Sequence, residues 1–176
     1  MVYFRLNIKF VLALIILLSS CANFSAYFNT FYNAKEQFNE AEIIRKKSEN
    51  NKLSKTATDL YKSSIEKSIS ILSEYPDVSF RKDAYLVIIK SYFFIGEYKE
   101  ANLAITSMQD EFSNEEILEI AYWSALIKWK EGRAQPAINA LINLLEDDID
   151  ISLQSKIYLS IAEIYFEQNL NEKSMD

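Results

Sequence analysis

Glycine constrains this chain most, because the chain has so little of it. Only two glycines and two prolines occur in 176 residues. Sandwiches, barrels and doubly wound sheets turn corners with such residues, so their near-absence excludes those architectures. With 49% apolar residues, the chain has material for a packed core and is not disordered. The same scarcity removes chemistry. Two glycines cannot build a loop that cradles phosphates. With no histidine and one cysteine, zinc sites, haem ligation, Ser-His-Asp and Cys-His catalysis and intrachain disulfides lose their raw material. No catalytic residue, cofactor or metal site is expected.

The first 20 residues have the layout of an export signal. Arg5 and Lys9 precede the apolar run Phe10 to Leu18, which is too short for a ~30 Å hydrocarbon core. Leu18-Ser19-Ser20-Cys21 then resembles the bacterial lipobox. The resemblance implies cleavage before Cys21, a thioether lipid on its sulfur and an acyl chain, such as palmitate, on the new amino terminus. Two or three acyl chains anchor durably where one does not. The other reading of Cys21 is a free thiol that follows a signal peptide. Ala22, where an aspartate would resemble an inner-membrane retention signal, points to the outer membrane, facing the periplasm. Cleavage would remove Arg5 and Lys9 and leave 17 basic against 25 acidic residues, net −8, where the whole chain has 19 and 25 for −6. Arg45-Lys46-Lys47 is then the one basic triplet, so nucleic acid is not an expected partner.

Beyond Cys21, apolar residues recur at helical spacing and no stretch alternates with period two. A first helix over about 24–49 carries the stripe Phe24, Tyr27, Phe28, Phe31, Tyr32, Ala34, Phe38 and Ala41. The stripe packs on the second helix or sits at lipid headgroups beside the anchor. A second helix over about 54–75 shows Ala57, Leu60, Tyr61, Ile65, Ile69, Leu72 and Tyr75 on one face and ends before Pro76. Further helices are expected over about 80–95, 99–112, from the Ser113 cap region to 131, from near Pro136 to about 146, and from Ser152 or Ser155 to about 168.

Gly96 and Gly132 lie 36 residues apart, and Asn169 lies 37 further on. Each is expected to turn the chain at a helix end. Gly96-Glu97-Tyr98-Lys99-Glu100-Ala101 aligns with Gly132-Arg133-Ala134-Gln135-Pro136-Ala137. Ahead of the turns, Tyr85, Ile88, Ile89 and Tyr92 align with Ala121, Ser124, Ala125 and Lys128, then with Tyr158, Ile161, Ala162 and Tyr165. A helix–turn–helix period in the thirties marks a solenoid. Tyr85, Tyr92, Gly96, Tyr98 and Ala101 resemble the tetratricopeptide repeat (TPR), and residues 80–176 carry that likeness, with a degenerate half over 53–76. The expected fold is therefore all-α, a TPR-like α-solenoid of about seven antiparallel helices after a cleaved signal peptide. It divides into a signal peptide (1–20), a lipidated cysteine with an amphipathic helix (21–52) and the repeats (53–176). Leu170 to Asp176 read as the first turn of an eighth helix.

With Cys21, the Tyr75-Pro76-Asp77 helix end and residues 80–112, the chain resembles the BamD-type lipoproteins of outer-membrane barrel assembly. That implies a lipid-anchored scaffold that holds envelope proteins or peptides in the concave face of its repeats. On the TPR alignment the groove is lined by Leu86, Lys90, Phe93 and Phe94, then Tyr122, Leu126, Trp129 and Lys130, then Lys156 and Phe166, with Asp83, Leu159 and Glu163 beside them. Aromatic anchors among a few charges suit a peptide. Phe93, Phe94 and Trp129 have the alternative of packing between neighbouring repeats. A second functional reading is the helical accessory part of an envelope enzyme, such as one acting on peptidoglycan, with catalysis elsewhere. The acidic groups Glu115, Glu116 and Glu119, and Glu146 to Asp150, read as solvated helix ends.

Overall fold

The computed structural model describes residues 30–48, 52–113 and 118–173. Cys21, the signal segment, Phe24, Tyr27, Phe28, Glu115 and Glu116 lie outside them. Among the described residues there are seven helices and no strand: α1 (Tyr32–Lys47), α2 (Lys55–Glu74), α3 (Arg81–Ile95), α4 (Tyr98–Glu111), α5 (Leu118–Lys130), α6 (Ala134–Leu144) and α7 (Ile151–Lys173). None of them is long and apolar enough to cross a membrane. The chain divides into two compact units between Ser91 and Tyr92, within α3 and not at residue 52. The helix expected as a separate amphipathic segment belongs to the first unit, because α1 packs along α2.

In the first unit α1 and α2 run antiparallel. Phe38 meets Tyr61 edge-on at 5.7 Å, and Phe31 joins Ile71 and Val78 in one buried cluster. Phe31 also stacks on Phe80 at 4.8 Å. The basic triplet Arg45, Lys46 and Lys47 occupies the last turn of α1, where cations face the negative end of the helix dipole. Ser54 caps α2, its hydroxyl accepting from the Ala57 N–H at 3.1 Å. The Arg81 guanidinium donates to the carbonyls of Leu72 (2.8 Å) and Tyr75 (3.4 Å), which satisfies carbonyls that the end of α2 leaves open. The buried face of α2 is Ala57, Tyr61, Ser64, Ile65, Ser68 and Ile71. Ile69, expected on it, is 46% exposed. Small serines take the inward positions instead: Ser64 bonds the Tyr61 carbonyl at 2.8 Å and Ser91 Oγ at 2.9 Å.

Tyr61 is fully buried, and its hydroxyl donates to the Glu42 carboxylate, which also holds Arg45 at 2.8 Å and Lys46 at 3.3 Å. Burial pushes the Tyr61 phenol well up, and the bond to Glu42 adds to this. Burial alone would also raise the Glu42 carboxyl. Arg45, the Tyr61 hydroxyl and Lys46 more than offset that and hold it below its ordinary value of 4.5. A carboxyl lowered in the folded state stabilises fully above its unfolded pKa and stops doing so as pH falls through its folded pKa. Glu42→Gln is therefore expected to lower the melting temperature at neutral pH. The gap to the wild type should close as pH is lowered from about 5 toward 3. A gap that stays constant with pH would contradict this network.

In the second unit the repeat is visible atom by atom. Gly96 and Gly132 have φ of 82° and 83°, a region that side chains with a Cβ rarely enter. The Gly96 N–H donates to the Phe93 carbonyl and the Glu97 N–H to Tyr92. The Gly132 N–H donates to Trp129 and the Arg133 N–H to Lys128. Both are the same Schellman turn. Each is followed by an equivalent bond, Ala101 N–H to Glu97 and Ala137 N–H to Arg133, both 3.1 Å. Ala101 and Ala137 are both fully buried. Helix α7 then lies beside α5. Tyr122 bonds Ser160 and Lys130 bonds Glu167, pairs 38 and 37 residues apart, so the two helices run parallel at the repeat offset.

The third turn does not form. α7 continues unbroken through Asn169 to Lys173, because asparagine costs a helix less than glycine does and nothing there demands positive φ. The eighth helix expected to begin at Leu170 is the last turns of α7. α7 also starts earlier than Ser152 or Ser155 imply. Asp150 is its cap, accepting from the Leu153 N–H at 2.8 Å.

Candidate functional site

Three of the ten residues expected to line a groove are closed to a partner. Leu86 is 9%, Tyr122 7% and Leu126 5% exposed. Tyr122 is closed because positions facing along the stack are used where one repeat's helix lies against the next. The Tyr122 hydroxyl bonds Ser160, and its phenol is raised by burial, against the lowering effect of that bond.

Phe93 and Phe94 are half-buried and take the alternative reading, as packing. Both meet Trp123 edge-on, at 5.2 and 5.8 Å, and Phe93 also meets Tyr98 at 5.8 Å. Trp123, absent from the expected site, is the hub of this cluster. It is 8% exposed, touches Tyr122 at 5.4 Å and donates from Nε1 to Glu119 at 3.3 Å. The alignment that found the glycines also gives the signal for it. Trp123 falls between Val87 and Ser160, and all three positions are buried. Lys90 is half-buried, while Lys156 and Phe166 stand in the open.

The remaining two, Trp129 and Lys130, do come together in a cleft. It encloses about 370 Å³ and is lined by Trp129, Lys130, Gly132, Ala134, Ile164, Glu167 and Gln168. The second Schellman turn forms one wall and α7 the other. The Lys130 ammonium sits 3.4 Å from the centre of the Trp129 ring and 3.4 Å from Glu167 Oε1. The cleft therefore offers an aromatic face, a cation, a carboxylate, a carboxamide and the apolar flank of Ile164. These groups suit a peptide segment: Trp129 and Ile164 take an apolar side chain, and the polar groups take main-chain amides. Glu167, Gln168 and Ile164 were not anticipated, since they join the site only through the parallel seating of α7 on α5. Among the described residues no cluster of histidine, cysteine, aspartate or glutamate could hold a metal ion.

No family model, curated protein or solved structure matches this chain.

Proposed function

We propose that this chain is a lipid-anchored helical-repeat scaffold that holds polypeptides of the bacterial envelope, bound to the membrane through Cys21. The TPR likeness and the lipobox support the class of protein. The observation that carries the binding reading is the cleft beside Gly132, where Trp129, Lys130, Glu167 and Gln168 converge. A segment of a partner protein fits this set of groups better than a small reacting substrate does. The cleft pairs recognition groups, and its charges already neutralise each other at 3.4 Å. Outer-membrane protein assembly is the process that the BamD-type likeness favours.

The test is affinity capture from detergent-solubilised envelopes with the native chain as bait and Trp129→Ala as its matched control. One or more envelope proteins should be retained by the native chain and reduced several-fold with Trp129→Ala, since a lost aromatic anchor costs about 1–2 kcal/mol. Equal recovery on both baits would remove the cleft from the binding surface. Recovery of nothing above background would remove the scaffold reading itself.

A further inference from the structure

Basic charge is concentrated where α1 turns into α2. Residues 43–58 hold five of the 19 basic residues, Arg45, Lys46, Lys47, Lys52 and Lys55, and one of the 25 acidic ones, Glu49. The rest of the chain is left with 14 basic against 24 acidic residues. Glu49 lies outside the described residues. The fold keeps the lysines together. The Ser48 hydroxyl donates to the Lys52 carbonyl at 3.1 Å, which draws the two ends of the link between the helices side by side. Ser54 fixes the start of α2 one residue before Lys55. Lys46, Lys47, Lys52 and Lys55 are all exposed. Glu42 already holds Arg45, Lys46 and the Tyr61 hydroxyl, so its charge is spent on those groups. The fold gains nothing from Lys55. It stands in the first turn of α2, where no acid is present and where the helix dipole disfavours a cation.

We infer that this tip of the α1–α2 hairpin lies on anionic phospholipid headgroups of the membrane that holds Cys21, and so orients the chain on that surface. The inference rests on the lipid anchor of the proposed function, and not on the cleft. Tyr32 follows Cys21 by 11 residues, at most ~40 Å of extended chain, and the 16 residues of α1 span about 24 Å. The tip can therefore reach the surface. Because the anchor keeps headgroups within reach, the lysines need only orient the chain and not capture a membrane from solution. Lysines beside an anionic surface are attracted while the acidic remainder is repelled, and both effects turn the tip toward the bilayer. An acidic protein segment would meet the same charges without the advantage of the tether.

The test reconstitutes the full native chain on vesicles of phosphatidylcholine, alone or with about 30% phosphatidylglycerol. Lysines are acetylated briefly with a membrane-impermeant N-hydroxysuccinimide ester, and mass spectrometry reads each site. Lys99 and Lys156, exposed on α4 and α7, serve as references and should react alike on both vesicles. Relative to them, Lys47, Lys52 and Lys55 should react about threefold more slowly on the anionic vesicles. About 0.5 M sodium chloride should abolish the difference. Lys47→Glu/Lys52→Glu, read at Lys55, should abolish it too. Both positions are exposed, so far-ultraviolet circular dichroism should be unchanged. Four results would each overturn the tip as a membrane contact: equal acetylation of the tip on the two vesicles, equal slowing at Lys99 and Lys156, slowing that survives Lys47→Glu/Lys52→Glu, or slowing reversed by inorganic phosphate at matched ionic strength. Flotation in high salt tests the anchor separately. A chain that leaves neutral vesicles there refutes the anchor, whereas a chain that floats with an unprotected tip refutes the orientation alone.

Discussion

Tyr61→Ala should destabilise the first unit by about 3–5 kcal/mol. The ring is fully buried and Phe38 packs on it edge-on at 5.7 Å, so its removal leaves a cavity in the core. The substitution also strips Glu42 of its hydroxyl donor. Tyr61→Phe separates the two effects. It keeps the ring and loses the bond to a charged acceptor, a change of about 1.5–3 kcal/mol. Urea titration of the three proteins should order them wild type, Phe, Ala. A domain stability is about 5–15 kcal/mol, so the alanine variant should unfold at a much lower denaturant concentration. An alanine variant with the wild-type midpoint would mean that α1 and α2 do not meet at this ring.

The elements of the fold were legible in the sequence because each is specified locally. Helical periodicity marks a helix wherever it occurs, and a glycine in a chain nearly devoid of it marks a turn. Gly96 and Gly132 could be read because positive φ excludes most alternatives. Asn169 could not, since asparagine tolerates both the helix and the turn. What the sequence leaves open is the neighbour across from each face. Hydropathy puts Ile69 inside and the serines outside, but a close helix crossing prefers the small Ser64 and Ser68. Tyr122, an aromatic fit for a groove, is consumed by the next repeat's Ser160. Trp123 escapes notice because its partners Phe93 and Phe94 are about 30 residues away and are brought to it only by packing. The cleft shows the same pattern: its first wall, Trp129 to Ala134, is contiguous in sequence, and its second arrives from α7.

Ala101→Leu and Ala137→Leu should each destabilise the second unit by about 1–3 kcal/mol, and the double variant by about 2–6 kcal/mol. Both alanines are fully buried. Each sits in the first turn of its helix, tied back to residue 97 or 133 by the same 3.1 Å bond. A helix that starts so soon after a Schellman turn has no slack: the turn fixes where it leaves, and the bond fixes its first residues. Three added carbons must therefore push the hairpin apart instead of rotating away. Leucine has excellent helix propensity, so local helix formation would not explain a loss. An exposed control, Gln135→Leu, carries the same side chain into the same first turn without entering the core and should change stability by no more than about 0.5 kcal/mol. Thermal and urea unfolding measure all four variants. Comparable losses at 101 and 137 are what two copies of one structural unit require. A large loss at one and none at the other would mean that the two turns share their backbone geometry but not their packing, and the hairpins would then not be equivalent repeats.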